Sequence, residues 1–159
     1  MTDTGLMRLT ISLRRAGYRF AYAVLRGYWF LLRPQVAGAL CLIVHEHHLL
    51  LIRNTYGQSD WTFPGGMLKR GEAPEVAIRR EVWEEVGMSL DAVHGLGLFT
   101  GRHAYRRDTI HVFAAQVPHA EVDIDFGEIL EARWFPVAVL PPLSRYAKRA
   151  LQLWQPLPQ

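Results

Sequence analysis

Apolar positions along the chain fall into blocks of different period, and the periods predict the elements. Val36 to Val44 is a near-continuous apolar run weakened only by Gly38, and Leu49 to Arg53 is a second. The polar His45-Glu46-His47-His48 between them predicts a β-hairpin. Glu75 to Val86 propagates as a helix, opened by Pro74, whose missing N–H costs nothing in a first turn, and stopped by Gly87. Leu90 to Thr100 and Thr109 to Val117 read as strands, and His119 to Phe126, alternating acids with apolar residues, reads as another. Gly101 to Asp108 reads as a polar loop. Leu143, Tyr146, Ala147, Ala150, Leu151 and Trp154 form the buried stripe of a last helix starting near Pro141-Pro142, with Arg145, Lys148 and Arg149 outside. At the other end, residues 6–32 read as one long amphipathic helix ended by Arg33-Pro34. Strands interleaved with helices predict an α/β chain.

Composition adds bounds. A chain of 159 residues, 50% hydrophobic and 21% charged, has a globular rather than a disordered profile. Net charge is +3, but residues 1–35 hold six arginines against Asp3 alone. On a helix, Arg8, Arg15, Arg19, Arg26 and Arg33 fall within an arc of roughly 40°. Three readings of that stripe stand side by side: a solvated face, an anionic membrane surface, or a phosphate-rich ligand. The apolar run Phe20 to Leu32, broken by Arg26, is 13 residues long. That is short of the ~20 needed to span a bilayer, and no secretory cleavage site follows it. The lone Cys41 cannot form an internal disulfide, which fits a cytoplasmic location, peripheral at the membrane if the stripe binds there. The expected organisation is a basic helical extension over residues 1–35 and one domain over residues 36–159.

The chemistry concentrates between Gly66 and Met88. Glu81, Glu84 and Glu85 are spaced i, i+3, i+4, so three carboxylates share one helix face. Like charges so packed call for a cation, and clustered hard oxygens suit Mg²⁺ or Mn²⁺. Phe63-Pro64-Gly65-Gly66 lets the backbone turn tightly and approach a ligand. Trp61 precedes that turn and reads either as core or as a wall of a substrate pocket. The histidines of the hairpin tip would point in different directions and read as solvated turn residues, not a zinc site. His111 reads as half-buried scaffold.

The same stretch spells GX5EX7REUXEEXGU, with U apolar, at a chance level of roughly 10⁻⁸ per register. It resembles a complete Nudix box, and the order of elements extends the resemblance over residues 36–154. The resemblance implies an α/β/α sandwich with a mixed sheet and cleavage of a nucleoside diphosphate linked to another moiety. It implies that Glu84 and Glu85 are metal ligands and that Glu81 is a ligand or the general base. A backbone carbonyl of Gly65 or Gly66 would complete the ligand set, and Arg80 and Glu72 would orient the glutamates. Glu128, with Glu131 second, is the candidate for a further metal-binding acid. Arg102, Tyr105 and Arg106 are candidate substrate contacts, since arginines suit phosphate oxygens. Where ADP-ribose-preferring members carry a proline, His103 and Ala104 stand; Tyr105 gives some weight to a polyphosphate. The expected partner is a nucleotide-type small molecule rather than nucleic acid, and the resemblance implies a homodimer. Two alternatives remain: a non-catalytic nucleotide- or RNA-binding module, and the same enzyme at a membrane acting on a lipid-linked diphosphate.

Overall fold

The computed structural model describes residues 16–18, 20–25, 27–28, 35–55, 60–103 and 106–154. Its strands are β1 (Gln35–His45), β2 (His48–Asn54), β3 (His94–His103), β4 (Arg106–Gln116) and β5 (Ile129–Pro136). Its named helices are α1 (Pro74–Val86) and α2 (Arg145–Leu153). The strands form one sheet in the order β3-β4-β1-β2-β5. β1 runs parallel to β4 and every other pair is antiparallel, so the sheet is mixed as expected.

The apolar runs of β1 and β2 are unbroken because both faces of the sheet are covered. Ala39, Cys41 and Ile43 of β1 and Leu50 and Ile52 of β2 point to a core shared with Ile78, Val82 and Val86 of α1. Leu40 and Leu42, with Leu49 and Leu51, point the other way, to a core shared with Ala147 and Ala150 of α2. The result is the expected α/β/α layering. The β1–β2 hairpin turns at Glu46, the one described non-glycine residue with positive φ, at 51°. α1 starts from Ala73 with Pro74 in its first turn and ends at Gly87 in the left-handed conformation, φ 69°.

Three expectations are corrected. The stretch Gly101 to Asp108 is largely strand rather than loop: among its described residues Gly101 pairs with Asp108, Arg102 with Arg107 and His103 with Arg106, extending β3 and β4. His119 to Phe126 is not a strand. Its backbone instead serves the end of α1: Asp123 donates to the Val86 carbonyl at 3.0 Å and Asp125 to that of Glu85 at 3.2 Å. The last helix begins at Arg145, capped by the Ser144 hydroxyl, which accepts from the Ala147 N–H at 3.2 Å.

Of the N-terminal helix expected over residues 6–32, residues 16–18, 20–25 and 27–28 are helical. The arginines of its stripe lie outside the described residues, as do Tyr105 and the loop around Gly57. Among the described residues no helix is long and apolar enough to cross a membrane.

Candidate functional site

The site is built where α1 meets the Pro64–Gly66 turn. That turn lies along β1, with Cys41 N–H donating to the Pro64 carbonyl and Ala39 N–H to the Gly66 carbonyl, both at 2.9 Å. The approach is close enough that only glycine fits at position 65: φ is +142°, and a Cβ there would meet the Ala39 carbonyl oxygen at 2.1 Å. At Gly66 a Cβ would lie 2.5 Å from the Glu81 carboxyl group.

α1 delivers its three glutamates to this turn in different environments. Glu85 is 3% exposed, and its carboxylate accepts from the Gly65 N–H at 2.7 Å. Burial pushes its carboxyl well above the usual range; the Gly65 N–H opposes this, and the charges of Glu81, Glu128 and Glu84 add to it. Glu81 is raised too, first by burial, against the pull of Arg80. Glu84 lies at the outer edge, half exposed.

One guanidinium ties these acids together. Arg80 grips Glu72 with Nε and Nη2, both at 2.9 Å. Its Nη1 donates to Glu81 at 2.8 Å and to Glu84 at 3.0 Å. The fork to Arg80, aided by the Lys69 N–H, holds the Glu72 carboxyl down at about 2. Glu81 and Glu84 therefore turn toward Arg80 rather than toward a shared point. Among the described residues no three metal-ligating side chains converge on one position. The donor set itself, three carboxylates that repel one another beside glycine-turn backbone, is that of a hard divalent cation.

Glu128 comes to the same place from another element. The Asp125–Glu128 turn is pinned to β2 by Thr55, whose N–H donates to the Glu128 carbonyl and whose hydroxyl donates to that of Gly127. Glu128 lines the pocket and raises the carboxyls of both Glu81 and Glu85. Glu131 lies elsewhere, paired with Arg53 at 2.7 Å and with Arg133.

The pocket has a volume of about 560 Å³. Its floor is Val36 to Leu40 of β1, with Asp108 and Ile110 of neighbouring β4. One side is Gly65, Gly66, Glu81 and Glu85, and another is Ser144, Arg145 and Tyr146 at the start of α2. Tyr18, Ala21, Tyr22 and Leu25 of the N-terminal segment also line it. Trp61 does not; it sits edge-on to Phe135, centroids 4.8 Å apart, with Arg53 over its ring. The side chains of Arg102 and Arg106, and all of Tyr105, lie outside the described residues.

Asp108 and Tyr146 escaped the sequence reading. Asp108 is 1% exposed and accepts from the Tyr146 hydroxyl at 2.8 Å. Burial and that carboxylate push the tyrosine up to about 12. The available signal was parity: Asp108 shares its strand face with Ile110, Val112 and Ala114, all of them buried.

Comparison with known proteins agrees with this geometry. The family description NUDIX domain matches residues 33–154, and the chain belongs to that family. An RNA pyrophosphohydrolase of Psychromonas ingrahamii is 39% identical over 74 residues, covering 46% of this chain and 38% of that protein. An NAD-capped RNA hydrolase, NudC, of Haemophilus influenzae is 27% identical over 127 residues, covering 74% of this chain and 47% of that protein. The chain thus spans less than half the length of these curated relatives. Among solved structures, a MutT NUDIX hydrolase from Burkholderia pseudomallei superposes with a TM-score of 0.70 at 25% identity, covering 76% of this chain and 98% of that one.

Proposed function

We propose that this chain hydrolyses a phosphoanhydride bond in a nucleoside diphosphate linked to a second moiety. The observation that carries the reading is the set of α1 glutamates, packed against a glycine turn and opening into a pocket large enough for a nucleotide. Glu81, Glu84 and Glu85, with a carbonyl of Gly65 or Gly66 and with Glu128, would hold Mg²⁺ or Mn²⁺. When bound, such a cation neutralises phosphate oxygens, positions both reactants and acidifies the attacking water.

The remaining work falls to the chain. The Gly65 N–H fixes the Glu85 carboxylate against the turn. Arg80, anchored on Glu72, sets the orientation of Glu81 and Glu84 from behind. Glu81, partly buried at the Gly66 turn and held by Arg80, would serve either as a cation ligand or as the base that accepts the proton of the attacking water. Relatives named as an RNA pyrophosphohydrolase and an NAD-capped RNA hydrolase support this reading, so a nucleotide in which the anhydride is flanked by a nucleoside is the expected substrate class.

The test is turnover of a panel of nucleoside triphosphates, nucleotide sugars, ADP-ribose and dinucleoside polyphosphates with Mg²⁺ or Mn²⁺, with products identified by mass. Glu84→Gln is expected to lower kcat by at least about 100-fold, since even outer partners of metal ligands cost 10–100-fold. Its exposed position leaves the fold intact. Near-full activity in that variant would refute the site.

A further inference from the structure

The pocket has a wall that the family match does not cover. The match begins at residue 33, yet Tyr18, Tyr22 and Leu25 line the same pocket as Glu81 and Glu85. These three follow i, i+4, i+7 spacing, one stripe of a helix, and the described residues around them are helical. The two tyrosines are half-buried, whereas Phe20 and Val24 are 74% and 58% exposed. Tyr18 and Tyr22 therefore mark the docked face of the segment, with Leu25, 44% exposed, at its edge, and both tyrosines line the cavity.

What those rings face decides their use. α1 and its glutamates cover one face of the sheet; Tyr146 and Arg145 belong to α2 on the other. Asp108, held by the Tyr146 hydroxyl, belongs to the pocket as well. The cavity thus combines a carboxylate end, aromatic surface, and polar groups able to meet donors and acceptors. An aliphatic chain would set hydrocarbon against those polar groups. A planar heteroaromatic ring satisfies both surfaces: its faces stack on tyrosine and its edge meets polar groups.

We infer that Tyr18 and Tyr22 form a nucleobase subsite, so that the N-terminal segment is part of the substrate site rather than an appendage to it. The inference deepens the hydrolase reading and rests on it for the diphosphate half of the ligand.

Binding in EDTA tests the subsite apart from the chemistry. Full-length protein is titrated with nucleoside monophosphates and with ribose 5-phosphate, which lacks the base. Wild type is expected to prefer the nucleotide by about 10-fold or more, and Tyr18→Ala and Tyr22→Ala to lose most of that preference. Tyr→Phe at either position keeps it, because stacking needs the ring and not the hydroxyl. With the best substrate of the panel, the alanine variants raise KM roughly 5- to 100-fold and affect kcat less. Thermal unfolding checks that each variant is folded.

Equal binding of nucleotide and ribose 5-phosphate by wild type would overturn the subsite, as would a base preference unchanged in folded alanine variants. Binding and cleavage of a polyprenyl diphosphate in preference to any nucleotide would overturn it in favour of a hydrocarbon subsite. Base-dependent binding with no turnover of any panel substrate would leave the subsite standing and remove the hydrolase reading.

Discussion

Glu85 occupies a costly place for a carboxylate, buried at 3% exposure and held by one backbone N–H. Its raised carboxyl, caused first by burial, fixes how stability varies with pH. A group whose folded pKa exceeds its unfolded value contributes stability below the unfolded pKa, lost as pH rises through the folded one. The metal-free protein is thus expected to lose this contribution as pH rises from about 4.5. Glu72 has the opposite sign. Held at about 2 by the Arg80 fork, it contributes stability above the unfolded carboxylate range and loses it as pH falls toward 2. Glu85→Gln keeps an acceptor for the Gly65 N–H and removes the buried charge. Without metal at pH 8 its Tm is expected to rise by roughly 2–4 °C, while turnover is lost. A lower Tm measured by calorimetry would count against a costly buried anion.

The two glycines beside it separate fold from function. Gly65→Ala forces a Cβ into the Ala39 backbone at a φ of +142°, and is expected to cost about 3 kcal/mol or more in urea unfolding. Gly66→Ala meets only the movable end of Glu81. It should unfold near the wild-type midpoint and lose at least about 10-fold in kcat. That a tight turn needs these glycines was legible in Phe63-Pro64-Gly65-Gly66. Their clash partners were not, because Ala39 reaches the turn only through tertiary pairing.

Among the elements, α1 was legible almost to the residue because Pro74 and Gly87 mark its ends by local chemistry. Its start still has slack. Ala73 occupies the N-cap with no side-chain hydrogen bond, and it is exposed. Ala73→Ser is expected to add about 1 kcal/mol of stability by denaturant unfolding with kcat unchanged. The elements that misled did so through tertiary context. Residues 119–126 alternate as a strand would, and Val122 and Ile124 do pack on the core, but the backbone partners are helix-end carbonyls rather than a neighbouring strand. Residues 101–108 are polar enough to read as a loop, yet Gly101 to His103 pair with Arg106 to Asp108, because backbone ladder bonds do not depend on apolar side chains.

At the scale of the molecule, the layered fold was legible through the family resemblance, and helical spacing put three carboxylates on one face of α1. The rest of the pocket was not legible, because it gathers single residues from distant elements. Asp108 lies within a basic run, Arg145 reads as the outer face of a helix, and Tyr146 as its buried stripe; only the assembled fold brings all three to one cavity. Trp61, near the glycine turn in sequence, packs against Phe135 outside it.

The parallel partnership of β1 and β4 carries a consequence in time. It joins residues 72 positions apart along its length, Val36 to Asp108 through Val44 to Gln116. Closing so long a loop is entropically uphill until the whole interface forms, which makes such pairing a late and slow step. On the ribosome, the box helix emerges well before β4 does. A nascent chain can therefore carry all three glutamates of α1 and still have no pocket in which to use them. The floor closes only when β4 arrives, and Glu128 and the Tyr146 wall follow it still later.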